Sequence, residues 1–311
     1  MSTPTTDKQA MERIRSHRKR LRGEEESVDN HPTVSLSRRQ WITTQELIQD
    51  SLSLVPELAG YDSVVGVARS GLAPAATIAQ MLHLPLYILR QSTGDIVHAG
   101  HGFRLKGRST ALGKTVLIDD TVCSGDSMQK SLSIVGKYCE KVSTCAVYQH
   151  PKAAVKADHF AQYLNNPHVL EWNVGNSTYS GRIVWDMDGL ICEDCPAECD
   201  DDGPRYLDWI RSVKPKCLPR RSRVMIATGR REKWRYETVR WLERYGVNVD
   251  LKMHADGSRT FDSIVQHKAK ICRGLMASVP RGLDHSIAML ESDAVQSAAI
   301  EKLVGRPVWH C

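Results

Sequence analysis

VLIDDTVCSGDS (116–127) decides how this chain is read. An apolar run ends on two adjacent carboxylates, Asp119 and Asp120, and passes at once into a short polar loop around Gly125. The run predicts a buried strand that delivers both acids to a sheet edge, and SMQKSLSIVGKY (127–138) predicts the helix that follows. Backbone N–H groups at a helix N-terminus, joined by the hydroxyls of Thr121, Ser124 and Ser127, suit a phosphate. Two carboxylates cannot hold that phosphate themselves. They suit ribose hydroxyls, or the Mg²⁺ that accompanies a pyrophosphate.

Working outward, SVVGVA (63–68) is a second β-branched run; it ends in Arg69, Ser70 and Gly71 and precedes the helix-favouring APAATIAQML (73–82). LYIL (86–89), TVLI (115–118) and TCAVY (144–148) are further strand candidates, and the spacing from Trp41 to Leu54 predicts an amphipathic helix. Strands alternating with helices imply parallel βαβ units, whose ligands sit at the C-terminal strand ends. The pattern restarts after the polar VGNSTYSG (174–181), with strands expected at RIVWD (182–186), RVMIAT (223–228) and SIAML (286–290) and a helix at EKWRYETVRWLERYG (232–246). The fold class expected is α/β, as two tandem parallel-sheet domains. Residues 1–35 read as a flexible basic leader, 36–178 as the first domain and 179–311 as the second.

Bulk properties agree with that organisation. A chain of 311 residues is long for one core at roughly 100 to 200 residues per domain. No apolar stretch reaches the ~18 residues of a membrane span, and the N-terminus lacks a signal peptide's apolar core, so a cytoplasmic location without a membrane partner is expected. Nine scattered cysteines, an odd number, argue for reduced thiols rather than a disulfide framework. The net charge of +6 is mild, and the basic run RIRSHRKRLR (13–22) is followed directly by acids, as in a solvated tail.

The 116–127 stretch resembles the signature of the type I phosphoribosyltransferases: an apolar strand, two acids, two mostly apolar residues and a hydroxyl-rich glycine loop. The resemblance, joined by VVGVARSGLAPAATIAQML, covers roughly residues 40–175. It implies that Asp119 and Asp120 contact the ribose hydroxyls of phosphoribosyl pyrophosphate, that Cys123, Ser124, Gly125, Asp126 and Ser127 bind its 5′-phosphate, and that Arg69, Ser70 and Gly71 bind its pyrophosphate. In purine-salvage members an Asp at the position of Cys123 is the general base; this chain has a thiol there. QSTGDIVHAGHGFRLKGRSTALGK (91–114), with His98, His101, Arg104 and Lys106, is expected to be a mobile lid.

A second constellation lies in IVWDMDGLICED, where Asp186 and Asp188 stand two apart at a strand end and Gly189 permits a turn. The spacing suits a carboxylate nucleophile and a proton donor beside a divalent cation. Thr228 ends another strand, Lys268 offers a cation, and Glu291, Ser292 and Asp293 end a third. The ordered set resembles the haloacid dehalogenase-like phosphohydrolases, with the polynucleotide-kinase-type and acid-phosphatase-like members nearest, over residues 182–311. It implies Asp186 as nucleophile, Asp188 as general acid and base, Thr228 and Lys268 on the phosphoryl group, and Asp186, Asp188 and Asp293 on Mg²⁺.

Cys192, Cys195, Cys199 and Cys217 have a spacing compatible with Zn²⁺, although a thiol-bearing loop is the plainer reading. Trp234, Trp241 and Tyr245 among arginines suggest nucleic-acid stacking, but they recur at core-facing helical spacing. Arg230 and Arg235 are the better substrate candidates there. The leading expectation is a bifunctional, Mg²⁺-dependent enzyme of nucleotide metabolism. It joins phosphoribosyl pyrophosphate to a base-like acceptor and hydrolyses a phosphomonoester. A sensor of phosphoribosyl pyrophosphate fused to a phosphatase, a phosphatase acting on nucleic-acid ends, and a homodimer are left open.

Overall fold

A computed structural model describes residues 40–100, 112–139, 141–165, 168–177, 180–279 and 287–311. The leader 1–35 and the lid residues His101, Arg104 and Lys106 lie outside the described residues. The chain divides into two compact units, Met1–His168 and Val169–Cys311, upstream of the boundary at 178/179 that the sequence suggests.

The first unit begins with β1 (Gln40–Ile42), α1 (Thr44–Ser53) and the single turn α2 (Val55–Leu58). Trp41 and Ile42, expected to be helical, are extended because Thr43 caps the helix. Its Oγ1 accepts the Glu46 N–H at 3.1 Å while Glu46 Oε2 accepts the Thr43 N–H at 2.7 Å, a reciprocal box that sets the helix start. Then come β2 (Ser63–Ala68), α3 (Leu72–Leu82), β3 (Leu86–Arg90), β4 (Asp95–Gly100), β5 (Lys114–Val122), α4 (Asp126–Val135), β6 (Lys141–Gln149) and β7 (His159–Tyr163).

The six-stranded sheet runs β4-β3-β2-β5-β6-β7, parallel except for β4. Residues 95–100, assigned to the lid from sequence, form an edge strand instead, and the His98 ring packs 4.9 Å from that of Tyr87. Alternate residues serve opposite faces. Val64, Val116 and Ile118 pack with Leu54, Leu58 and Ile78, whereas Val65, Val67 and Leu117 pack with Met128 and Val135. A sheet buried on both faces is why these strands read as unbroken apolar runs.

At the unit boundary stands β8 (His168–Leu170). The second unit contains β9 (Ile183–Trp185), α5 (Pro204–Ser212), β10 (Val224–Arg231), α6 (Arg235–Arg244), β11 (Val249–His254), α7 (Phe261–Ser278), β12 (Ala288–Glu291), α8 (Ala294–Val304) and β13 (Val308–His310). Its sheet is wholly parallel in the order β11-β10-β9-β12-β13. Strand β9 is central, so the chain leaving it at Asp186 emerges between the ends of β10 and β12. Val184, Ala227 and Met289 pack against Val265, Ala269 and Ile300 of the covering helices. Trp241, fully buried, donates its indole N–H to the Val213 carbonyl at 2.8 Å, which makes it a core residue. No helix among the described residues is long and apolar enough to cross a membrane.

Candidate functional sites

In the first unit, β2 and β5 are neighbours, and their C-terminal ends present the two motifs side by side. The Ala68–Arg69 peptide is cis, and the Arg69–Gly71 turn follows it. A Cβ on Gly71 would lie 2.6 Å from the Ile118 carbonyl oxygen and 2.9 Å from the Asp119 Cα, so turn and strand end meet backbone to backbone. Asp119 and Asp120 are both buried, and Asp119 Oδ1 accepts the Asp120 N–H at 2.9 Å. Burial, then the neighbouring Asp120 charge, pushes the Asp119 carboxyl well above the usual carboxylate range.

The loop beyond is ordered by its own side chains. Gly125 has φ +98°, and a Cβ there would strike Val155 at 2.3 to 2.5 Å, so only glycine fits. Ser124 Oγ donates to Asp126 Oδ2 at 3.0 Å, while Ser127 Oγ accepts from Gln91 Nε2 at 2.7 Å. Gln91, a residue without a role in the sequence reading, thereby ties the end of β3 to the start of α4. Cys123 is exposed, and burial of its sulfur region, then Asp120 and Asp119, raises its pKa. A thiol held protonated beside two acids is a poor nucleophile.

In the second unit three strand ends converge. Asp186 is fully buried; its Oδ1 accepts the Met187 N–H at 2.8 Å and lies 3.0 Å from Lys268 Nζ. Lys268, reaching in from α7, also donates to Glu291 Oε2 at 2.8 Å and to Gln296 Oε1 at 3.1 Å. Burial opposes the Asp186 charge, yet Lys268 and the hydrogen bond from Glu291 hold Asp186 below the ordinary value. Burial, then Asp186, pushes Glu291 up to about 9. Two carboxylates facing one ammonium repel each other, so the fall at Asp186 and the rise at Glu291 belong to the pair.

Asp188 points elsewhere. The fully buried Arg230 grips it through Nε at 3.0 and 3.1 Å and through Nη2 at 2.5 Å, so Arg230 is not a free phosphate ligand. Arg235 is paired with Glu232 on the surface. Thr228 is buried, and its hydroxyl accepts the Arg230 N–H at 3.1 Å. Ser292 Oγ donates to the Asp188 carbonyl at 2.7 Å and lies 3.1 Å from Asp186 Oδ2, which joins β12 to the Asp186–Asp188 turn. Asp293 is turned away as the cap of α8, accepting from Val295 N and Gln296 N.

Among the described residues no group of three or more His, Cys, Asp or Glu is placed to hold a metal. The cysteine reading is corrected accordingly: Cys192 is buried with its Sγ 3.3 Å from Asp188 Oδ1, while the Cys195 Sγ faces the Pro196 carbonyl. For Mg²⁺ the fit is better at Asp186 and Glu291 than at Asp293. Asp186 and Glu291 face one another across the Lys268 ammonium, whereas Asp293 accepts from the first N–H groups of α8.

No family model matches the chain. Its N-terminal part is 29% identical over 126 residues to an orotate phosphoribosyltransferase of Porphyromonas gingivalis, covering 39% of this chain and 56% of that protein. An orotate phosphoribosyltransferase of Cutibacterium acnes is 35% identical over 104 residues, 33% of this chain and 45% of the other. The first unit is phosphoribosyltransferase-like. The chain spans about half the length of the curated relatives it matches. Among solved structures, the purine phosphoribosyltransferase of Pyrococcus horikoshii matches with 22% identity and a TM-score of 0.34, over 43% of this chain and 93% of that one. The orotate phosphoribosyltransferase of Aeropyrum pernix matches with 24% identity and a TM-score of 0.28, over 35% and 60%.

Within the phosphoribosyltransferase-like unit, the acid pair and the Arg69–Gly71 turn are brought together at adjacent strand ends. The contact of Val155 with the 123–127 loop was invisible in sequence. Only the φ of Gly125 and the hydrogen bonds of Ala154 N and Val155 N to the Ser124 carbonyl reveal it.

Proposed function

We propose that the first unit transfers a phosphoribosyl group from phosphoribosyl pyrophosphate to a base-like acceptor, and that the second hydrolyses a phosphomonoester. The observation that carries the reading is the close packing of the Arg69–Gly71 turn against the Asp119 end of β5. Such packing suits one ligand with a pyrophosphate at the turn, ribose hydroxyls at Asp119 and Asp120, and a 5′-phosphate at Cys123 to Ser127. Cys123 serves through its position in that loop, not as a base.

In the second unit, a haloacid dehalogenase-like phosphohydrolase, Asp186 is the nucleophile. Held ionised by Lys268, it attacks phosphorus, forms an aspartyl phosphate and expels the alcohol, whose proton comes from Asp188 on its release from Arg230. Water then cleaves the acyl phosphate, with Asp188 taking up the proton. Lys268 and Thr228 face the phosphoryl oxygens. Asp186 and Glu291 would hold Mg²⁺, which would supply charge neutralisation at the phosphoryl group, while the Asp188 carboxylate stays on Arg230.

Incubation with phosphoribosyl pyrophosphate and a panel of bases, orotate first because the curated relatives bear that name, tests the first activity by pyrophosphate release. Release of phosphate from nucleoside 5′-monophosphates tests the second. In Asp186→Asn the phosphate signal disappears while pyrophosphate release persists. Loss of both signals in a folded variant would sink the independent-site reading, and binding without pyrophosphate release for every base would leave the first unit a sensor.

A further inference from the structure

The hydroxyl of Tyr206 is buried without a hydrogen-bond partner among the described residues, and the residue as a whole is 1% exposed. Tyr206 stands in the first turn of α5, just past the acidic stretch 192–203. A second such atom is the Nε of Arg259, in the loop between β11 and α7; its Nη1 is held on Asp200 Oδ1 at 2.7 Å. The Arg259 guanidinium carbon lies 5.7 Å from the Tyr206 ring centroid.

Both groups lie within electrostatic reach of Asp188. Arg230, which grips Asp188, sits 4.9 Å over the Trp209 ring, and Trp209 is stacked on Tyr206 at 5.3 Å. Burial, then Asp188, raises the Tyr206 pKa, so the phenol keeps its proton and is a donor. Buried polar groups in folded chains are nearly always satisfied. Two unsatisfied donors, on a ring and a guanidinium 5.7 Å apart and linked to Asp188 through Trp209 and Arg230, suit an oxygen acceptor brought by a ligand.

We propose that Tyr206 and Arg259 form a leaving-group subsite of the second unit, selecting phosphomonoesters of oxygen-rich alcohols such as sugars and nucleosides over those of apolar alcohols. The subsite rests on the phosphohydrolase reading of Asp186. The segment 192–203 before α5 supports the arrangement. That segment brings Asp200, the anchor of Arg259, and Asp201, whose Oδ1 accepts the Tyr206 N–H at 3.0 Å, to the same place.

The test compares full-length wild type with Tyr206→Phe, which removes only the hydroxyl, and with Arg259→Lys, which keeps the charge on Asp200 but removes Nε–H. Hydrolysis of ribose 5-phosphate is measured against p-nitrophenyl phosphate, and ribose 5-phosphate binding is followed by calorimetry, the first unit's contribution being common to all three proteins. The expected result is a roughly five- to tenfold fall in the ratio of kcat/KM for the two esters in Tyr206→Phe, the loss of one neutral hydrogen bond, and a fall of roughly tenfold or more in Arg259→Lys, whose lost donor is cationic. The melting temperature of Tyr206→Phe should not fall, since the free protein leaves that hydroxyl unsatisfied. An unchanged ratio overturns the subsite, as does a lowered melting temperature with equal losses on both esters, the mark of a structural hydroxyl. If wild type hydrolyses neither ester, the phosphohydrolase reading falls. The binding comparison then decides alone: weaker binding in Tyr206→Phe supports the subsite and equal binding overturns it.

Discussion

Gly71→Ala puts the packing of the first site under direct strain. The backbone of Gly71 has φ −71° and ψ −5°, a conformation open to alanine, so no torsional cost arises. The added Cβ would meet the Ile118 oxygen at 2.6 Å, the Asp119 Cα at 2.9 Å and the Val67 oxygen at 2.9 Å. All three are backbone atoms, so no side-chain rotation relieves the clash. The turn must lift by several tenths of an ångström from the end of β5, at a cost of about 1–3 kcal/mol by analogy with overpacked cores. A shift of that order also separates the proposed pyrophosphate ligands from the ribose ligands, and misplacement by ~1 Å can cost about 10²-fold in rate. Chemical denaturation reads the first effect, and calorimetry with phosphoribosyl pyrophosphate reads the second. Gly274→Ala is the control: its Cβ meets nothing within 4 Å in the helix interior, so a gain of roughly 0.5–1 kcal/mol is expected. A Gly71→Ala protein with wild-type stability and affinity would refute the argument that turn and strand end are in contact.

Further outcomes follow from the same geometry. Lys268→Met leaves the buried Asp186 and Glu291 without their counter-ion and should destabilise the protein by about 3–5 kcal/mol in urea unfolding; a neutral result would mean the carboxylates are solvated. Glu291 binds its proton more tightly folded than unfolded, so without divalent cations its contribution is complete below about pH 4.5 and is lost as pH rises through about 9. The melting temperature should therefore fall over that window, and Glu291→Gln should flatten the fall; a parallel slope in the variant would point to other groups. Asp120→Asn should weaken phosphoribosyl pyrophosphate roughly 10- to 100-fold in calorimetry, the loss of a charged hydrogen bond, and unchanged affinity would remove the acid pair from the ribose.

Much of the fold was legible because its strands are buried on both faces. SVVGVA became β2 residue for residue, and the runs at 115–118 and 144–148 proved to be the middles of longer strands. Strands β4, β7, β11 and β13 escaped notice. They lie at or next to sheet edges, where His159–Tyr163 is only half-buried and Asp95–Gly100 mostly exposed, so no apolar run announces them. The helix expected from Trp41 began later because a local side-chain box outcompeted the apolar period.

The amino-acid sequence by itself singled out the acid pairs Asp119–Asp120 and Asp186–Asp188 and set them toward the C-terminal ends of strands, since short-range patterns of apolar runs, acids and glycines encode both. Tertiary structure alone decided how those groups divide their partners. Asp186 and Asp188 are two residues apart, yet one faces Lys268 and Glu291 and the other Arg230. Asp293, which the resemblance implies for the metal ahead of Glu291, caps a helix while Glu291 turns into the cluster. Tyr206 and Arg259 are more than fifty residues apart and form no motif. Alternation along a strand says which side of the sheet a residue takes, but what it meets there comes from another part of the chain, and no local pattern records that.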